Sequence, residues 1–289
     1  MPELPEVETI KRGLSKLTIK QKIKSTEILC EKSFIGSSET IKGATITKIR
    51  RFGKALVIDL DNQKSLMIHL RMTGQLIYDN KSSKNERYAA GHPSENFIDK
   101  LPNKQTRVIL KLENGTLYFN DQRKFGFIKI LETKEVEKDP FIKKLAKEPW
   151  QMTPEELYEK LQRHQNSCIK AVILDQTVIA GLGNIYTDES LFMAGIHPAT
   201  KAGTLTKEDT AKLLDAARTV MDKSIASGGS TMKDYVKADG TRGDYLDKFA
   251  QVFNKKDQPC PACGKAKIEK IKVVGRGTHI CPNCQKEKK

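Results

Sequence analysis

Met1-Pro2-Glu3-Leu4-Pro5-Glu6 opens the chain, and the reading of everything after it turns on these six residues. A Met ahead of a small residue is normally clipped in the cell, so the working chain is expected to begin at Pro2, a free secondary amine beside the Glu3 carboxylate. An α-amino group titrates at roughly 7.7–8.0, so about a tenth of it is neutral and nucleophilic at neutral pH. Such an amine attacking a sugar C1′ expels a base and leaves a cationic iminium, which acidifies the neighbouring C2′ proton. The same residues also read as two prolines that stiffen the start of a helix, and the rest of the chain must decide. Val7, Ile10, Leu14 and Leu17 follow at helical spacing behind Pro5, Glu6 and Glu8, which predicts a helix over 5–17.

The chain has 289 residues, enough for two domains and a small appendage. Lys and Arg number 51 against 36 Asp and Glu, a net charge of +15 that attracts polyanions. Nucleic acid leads the partner classes, although ribosomal surfaces and acidic proteins answer to the same charge. No apolar run approaches the length of a membrane span and the first twenty residues hold no signal-like core, so no membrane partner and a cytoplasmic location are expected. Four of the six cysteines form two CxxC pairs, while Cys30 and Cys168 sit alone in apolar surroundings, a usage that suits a reducing compartment.

Working outward from the first helix, β-like runs recur over 44–50, 54–60, 65–70, 106–112, 116–120 and 126–131, broken by Gly53, Asp61-Asn62 and Asn114-Gly115. They predict an antiparallel sandwich or barrel, with 79–105 as a long loop. After Pro140 the pattern turns helical. Thr153-Pro-Glu-Glu156 is a capping box opening a helix to about 164, a more apolar helix follows over 167–178, and Gly181-Leu-Gly183-Asn184 separates it from one over 185–194. Thr206 caps a longer helix that Gly228-Gly229 stops, and 229–250 reads as a mobile loop.

Cys260-Pro-Ala-Cys263 and Cys281-Pro-Asn-Cys284 have the spacing of a tetrahedral four-thiolate zinc site, two knuckles joined by a hairpin. With four cysteine ligands no position is left for a catalytic water, so the metal folds the module. The hairpin carries Arg276 between Gly275 and Gly277, where a guanidinium can meet a phosphate or simply face water. Asn184 at a helix start offers a phosphate seat or only a turn. Met72 in His69-Leu-Arg-Met-Thr-Gly74 and Phe125 in Arg123-Lys-Phe-Gly126 are either core residues or, with Arg123, a wedge that enters a base stack.

Taken together and in this order, the opening Pro-Glu-Leu-Pro-Glu, the His69–Gly74 and Arg123–Gly126 stretches, Gly181–His197 and the terminal cysteines resemble the bacterial formamidopyrimidine-DNA glycosylase family, also called 8-oxoguanine DNA glycosylase/AP lyase. The resemblance covers essentially the whole chain. It implies an α+β multidomain fold: an N-terminal β-sandwich with its N-terminal helix (1–135), a helix-two-turns-helix domain (140–238) and a four-cysteine zinc finger (251–289), with damaged double-stranded DNA held between the halves. It implies a monomer with one structural zinc held by Cys260, Cys263, Cys281 and Cys284, and no nucleotide cofactor. Pro2 would be the Schiff-base nucleophile, Glu3 the acid that protonates the opening sugar, Lys54 the group serving β-elimination and Arg276 the group serving δ-elimination. His69 and Asn184 would contact DNA, while Met72, Arg123 and Phe125 would fill the gap left by an everted nucleotide.

Three departures from the family pattern bear on contacts and leave Pro2 and Glu3 untouched. Lys104-Gln-Thr-Arg107 stands where the family has Lys-His-x-His, so a DNA contact passes to Gln105; Gln165 takes the place of a basic residue; and Val252-Phe-Asn-Lys255 replaces Val-Tyr-Gly-Arg. The expected substrates are 8-oxoguanine and formamidopyrimidines. The rival readings are an endonuclease VIII-like enzyme acting on oxidised pyrimidines, which usually opens Pro-Glu-Gly-Pro, and a catalytically silent DNA-binding protein.

Overall fold

A computed structural model describes residues 2–80, 87–91, 100–229 and 245–287. The chain divides into two compact units, Met1–Lys143 with Ser227–Asp244, and Lys144–Ala226 with Tyr245–Lys289.

The first unit opens with helix α1 (Leu4–Thr18), whose apolar residues Leu4, Val7, Ile10 and Leu14 are all buried. Glu3 caps it in an extended conformation, and its N–H donates to the Glu6 carboxylate at 2.7 Å, satisfying one of the donors a helix start leaves open. Among the described residues ten strands follow: β1 (Ile23–Ile28), β2 (Phe34–Ile35), β3 (Ile46–Phe52), β4 (Ala55–Leu60), β5 (Lys64–His69), β6 (Gly74–Asn80), β7 (Arg87–Gly91), β8 (Thr106–Leu112), β9 (Gly115–Asp121) and β10 (Phe127–Glu132). They form two five-stranded sheets, ordered β1-β8-β9-β6-β7 and β2-β10-β5-β4-β3, antiparallel except where β2 joins β10.

Alternate residues point into one core: Leu76 and Tyr78, Val108, Leu110 and Leu112, and Leu117 and Phe119 from the first sheet, and Leu56, Ile58 and Leu60, Leu66 and Ile68, and Ile128 from the second. Helix α1 packs on edge strands of both sheets, β7 and β3. The fit against β7 is tight enough that a Cβ on Gly13 would meet the Tyr88 ring at 2.0 Å, and Tyr88 Oη donates to the Thr9 carbonyl. The other face of the second sheet is covered as well, since Ala55, Val57 and Met67 pack with Val136 and Ile142. Burial on both faces explains why β4 opens on a continuous apolar run, Ala55 to Ile58, instead of an alternating one.

The expected sandwich is therefore present, with more strands than periodicity indicated. The expected loop over 79–105 is corrected: β6 runs to Asn80 and β7 pairs with it from Asp79↔Arg87 to Gln75↔Gly91. Five residues flanked by polar stretches carry too little alternation to stand out, and cross-strand pairing supplies what the local pattern lacks. Residues 81–86 and 92–99 lie outside the described residues.

The second unit is helical with a terminal hairpin: α2 (Pro140–Lys143) ends the first unit, and α3 (Pro154–Arg163), α4 (Ile169–Leu174), α5 (Asn184–Met193), α6 (Lys207–Ala226) and α7 (Tyr245–Lys248) precede β11 (Glu269–Val273) and β12 (Arg276–Ile280). Thr153 accepts from the Glu156 N–H at 3.2 Å and Thr206 from the Asp209 N–H at 3.1 Å, the two caps read from sequence. The helix expected over 167–178 stops at Leu174, because Asp175 Oδ1 captures the N–H and hydroxyl of Thr177, both at 2.8 Å, and bends the chain into a turn. Of the loop expected over 229–250, residues 230–244 lie outside the described residues and Tyr245–Lys248 is a helical turn. Phe192 of α5 anchors the finger, packing with Val252, Cys260, Ile268 and Cys281.

Candidate active site and metal centre

Pro2 and Glu3 lie buried at the foot of α1. Beneath them Glu6 is wholly buried, and Gly229, at φ +98°, approaches so closely that a Cβ there would sit 3.4 Å from Glu6 Cγ. Gly229 thus lies against the first turn of α1 in a left-handed conformation that glycine permits.

Lys54 occupies the turn between β3 and β4, after Gly53 at φ +53°, and is buried. Arg51 braces that turn: its Nε donates to Glu8 Oε2 at 2.9 Å and its Nη1 to the Gly53 carbonyl at 3.0 Å. Burial pushes the Glu8 carboxyl up, but donors from Arg51, Lys11 and Arg12 outweigh it and hold the group below the usual carboxylate range. Helix α1, which carries the N-terminal dyad, is thereby tied to the turn that carries Lys54.

His69 ends β5 opposite Ala55 of β4 and Phe127 of β10. Its ring stacks on Phe127 and meets Phe141 edge-on at 5.1 Å, and its Nδ1 accepts from the Arg71 N–H at 3.0 Å. Burial, then the charges of Arg71 and Lys54, drive its pKa down to about 3, so the ring is neutral and holds its proton on Nε2 as a donor.

Met72 and Phe125 are exposed, 39% and 54%, in the loops after β5 and after β9; they are surface residues, and the core alternative falls away. The Arg123 guanidinium lies 4.8 Å from the centre of the Phe125 ring. Asp121, at the end of β9, organises both loops: its Oδ1 accepts from Thr73 Oγ1 and from the Arg123 N–H, and its Oδ2 from the Gly126 N–H at 2.7 Å. Gln105 is buried, its Oε1 accepting from Arg107 Nη2 at 3.3 Å, and its carbonyl accepts from the Asp121 N–H.

In the second unit, Arg276 is exposed beside the two-residue turn Val274-Gly275, both at positive φ. Asn184, the first residue of α5, donates through Nδ2 to the Gly277 carbonyl at 3.1 Å, so its amide sits directly against the hairpin that carries Arg276. Below the tip, the fully buried Lys170 bridges Asp188 Oδ1 at 2.6 Å and Thr278 Oγ1 at 2.7 Å, and Asp188 Oδ2 accepts from the His279 N–H. Glu189 accepts the consecutive N–H groups of Gln251, Val252 and Phe253 at 2.7–2.9 Å, although burial still pushes its carboxyl above the usual range. Gln165 is exposed between α3 and α4, packed through its backbone against Gly203.

The four cysteine sulfurs converge within 4.8 Å of one another, with Cys260–Cys284 and Cys263–Cys281 at 3.8 Å. A tetrahedron with Zn–S bonds of about 2.3 Å has edges of about 3.8 Å, whereas a disulfide needs about 2.0 Å, so the cluster fits one zinc ion. Bound there, zinc has four sulfur ligands and supplies no reactive position; its contribution is to hold the hairpin.

Three family models match in succession: the formamidopyrimidine-DNA glycosylase N-terminal domain over residues 1–128, its H2TH domain over 145–236, and the zinc finger found in FPG and IleRS over 257–286. A formamidopyrimidine-DNA glycosylase of Pelotomaculum thermopropionicum is 40% identical over 295 residues, covering all of both chains. The chain belongs to the formamidopyrimidine-DNA glycosylase family. A second member, from Desulfitobacterium hafniense, is 38% identical, with 99% of this chain and 100% of that one covered. Among solved structures, the complex between the Lactococcus lactis Fpg and an abasic site containing DNA is 34% identical with a TM-score of 0.85, spanning 99% of this chain and 100% of that one. A point mutant of the same Lactococcus lactis protein, in complex with a Fapy-dG containing DNA, matches with the same score, identity and coverage. Among the described residues no helix is long and apolar enough to cross a membrane.

The motifs read from sequence named both buried residues, such as Pro2, Glu3, Lys54 and His69, and exposed ones, such as Met72, Arg123, Phe125 and Arg276. They gave no role to the groups that hold these side chains in place, Glu6, Glu8 and Arg51, Asp121 and Thr73, and Lys170, Asp188 and Glu189, of which all but Arg51 and Thr73 are buried.

Proposed function

We propose that this chain is a bifunctional base-excision repair enzyme that removes 8-oxoguanine and formamidopyrimidines from duplex DNA and then cleaves the abasic site. In this reading the unblocked Pro2 nitrogen bonds to C1′ of the everted nucleotide as the C1′–base bond breaks and the base leaves with a proton. Glu3 protonates the sugar ring oxygen as the ring opens, leaving a cationic iminium between Pro2 and C1′. Loss of the C2′ proton then expels the 3′ phosphate, assisted by Lys54. A second elimination, assisted by Arg276, expels the 5′ phosphate, and hydrolysis frees Pro2. The gap keeps phosphates at both ends.

One observation carries the reading: family membership over the full length is joined to a Pro2–Glu3 pair seated at the start of a buried helix. The braced turn around Lys54 and the neutral, donating His69 support phosphate contacts near the lesion. The exposed Met72, Arg123 and Phe125 support a wedge that replaces the everted nucleotide. Asn184, against the Arg276 hairpin, supports a phosphate seat at the start of α5. Gln105 and Gln165 are assigned weaker contacts, one through a partly engaged amide and one from an exposed turn. The division at 1–135, 140–238 and 251–289 assigns these tasks to sandwich, helical domain and finger. The enzyme is read as a monomer of the bacterial cytoplasm without a nucleotide cofactor.

Borohydride trapping on duplexes bearing 8-oxoguanine, a formamidopyrimidine or an oxidised pyrimidine tests it. A reduced adduct mapped to Pro2 on the two purine lesions, lost in Pro2→Gly, is expected. An adduct on a lysine, or trapping confined to the pyrimidine lesion, overturns it and in the second case favours the endonuclease VIII-like reading.

A further inference from the structure

The wedge is built from two loops that lie about fifty positions apart in sequence, and one carboxylate joins them. Thr73 Oγ1 donates to Asp121 Oδ1 and accepts from the Arg123 N–H at 3.0 Å, while the same N–H reaches Asp121 Oδ1 at 3.1 Å. Asp121 Oδ2 takes the Gly126 N–H, closing the loop that contains Arg123 and Phe125. Asp121 is fully buried and is fixed from behind, its N–H donating to the Gln105 carbonyl and its own carbonyl accepting Arg107 Nε at 2.7 Å.

We propose that Thr73 and Asp121 form a latch that holds the Met72 loop and the Arg123–Phe125 loop in one register, so that the three side chains enter the duplex as a single preorganised body. This rests on the functional reading above. Parting a base step costs a few kcal/mol, and a loose wedge adds the ordering of its own loops at that moment. Both loops pass through left-handed residues, Arg71 at φ +52° and Lys124 at φ +57°, conformations that persist where surroundings enforce them. Each loop also closes tightly on its own chain, since a Cβ on Gly74 would strike the Leu70 carbonyl at 2.4 Å and one on Gly126 the Phe119 ring at 2.8 Å, so both glycines pass where no side chain fits. The chemistry of the latch is specific: a carboxylate accepts at both oxygens, whereas an amide in its place turns an NH2 against one of these donors. Thr73 and Asp121 touch no DNA in this scheme and act as positioning residues.

The test compares full-length wild type, Thr73→Val, Thr73→Ser and Asp121→Asn by single-turnover excision of 8-oxoguanine from duplex and by borohydride trapping on a single-stranded abasic oligonucleotide. The single strand has no stack to part and its aldehyde is already present, so it reads the Pro2 chemistry without the wedge. Thr73→Val is expected to slow duplex excision about tenfold, the weight of one hydrogen bond to a charged group. Asp121→Asn should slow it further, Thr73→Ser should restore it, and single-strand trapping by all three should stay within about twofold of wild type. Wild-type duplex rates in Thr73→Val, or equal losses on both substrates, overturn the latch while leaving the functional reading intact. A wild type that neither excises nor traps overturns both.

Discussion

The neutral state of His69 gives the acid stability of the sandwich a contribution from one imidazole. Its folded pKa of about 3 lies well below the ordinary 6.5, because the ring is buried between Phe127 and Phe141 beside two cations. Above about pH 6.5 the ring is neutral in folded and unfolded chains alike and contributes no pH dependence. As pH falls from there towards 3, the unfolded chain takes up a proton that the folded chain refuses, so stability drops by about 1.4 kcal/mol per pH unit. Between about pH 7.5 and about pH 4.5 the loss is about 2.7 kcal/mol, a large share of a typical domain stability of about 5–15 kcal/mol. Glutamine at this position keeps an amide donor and does not titrate, so His69→Gln should lose about 2.7 kcal/mol less over that interval. Amide exchange in β4 and β5, followed by mass spectrometry against pH and corrected for intrinsic rates, reports opening of this unit directly, whereas the single tryptophan, Trp150, belongs to the other. Parallel acid slopes in wild type and His69→Gln would refute the assignment. So would DNA affinity that rises about tenfold from pH 7.5 to pH 5.5 in wild type alone, since the ring would then be gaining charge within the site.

The Lys170–Asp188 pair has no exposure, so Lys170→Met strands a buried carboxylate and should cost about 3–5 kcal/mol, while Lys170→Met with Asp188→Leu recovers most of it; denaturant unfolding of the zinc-loaded protein measures both, and additive losses would contradict the coupling. Zinc analysis should find one ion per chain, and Cys260→Ala should abolish tight DNA binding while exchange protection in β4 to β10 stays unchanged; an undisturbed affinity in that variant would count against the finger. Excision should favour lesions opposite cytosine over adenine by roughly tenfold to a hundredfold, because the Arg123 guanidinium only donates and the stranded cytosine edge offers O2 and N3 acceptors where adenine presents an amino group. Arg123→Ala should bring that ratio towards one, and an unchanged ratio places the discriminating contact elsewhere.

What the sequence determined by itself was whatever is written in neighbouring positions. The cysteine spacing fixed the metal centre, the Thr153 and Thr206 caps marked where two helices begin, and the period of Val7, Ile10 and Leu14 drew α1 to within a residue of its limits. Recurrent motifs in a set order were enough to point to the family. Two strands at a sheet edge escaped: β1 is a polar edge strand paired through its backbone to β8, and β7 is recognisable by its partner β6. Periodicity records which face of a segment is buried and carries nothing about partners far along the chain. The tertiary structure alone decided which polar groups meet. Register sets Ala55 opposite His69 and so brings Lys54 to the imidazole, and the β6–β9 pairing sets Gly74 opposite Asp121 and so brings Thr73 to its carboxylate. In the second unit, Lys170 on one helix and Asp188 on the next close on Thr278, a contact between residues more than a hundred positions apart. A buried hydrogen bond is directional and strong only when its partner is in place, so its residues look like misplaced polar groups until the fold supplies the other half.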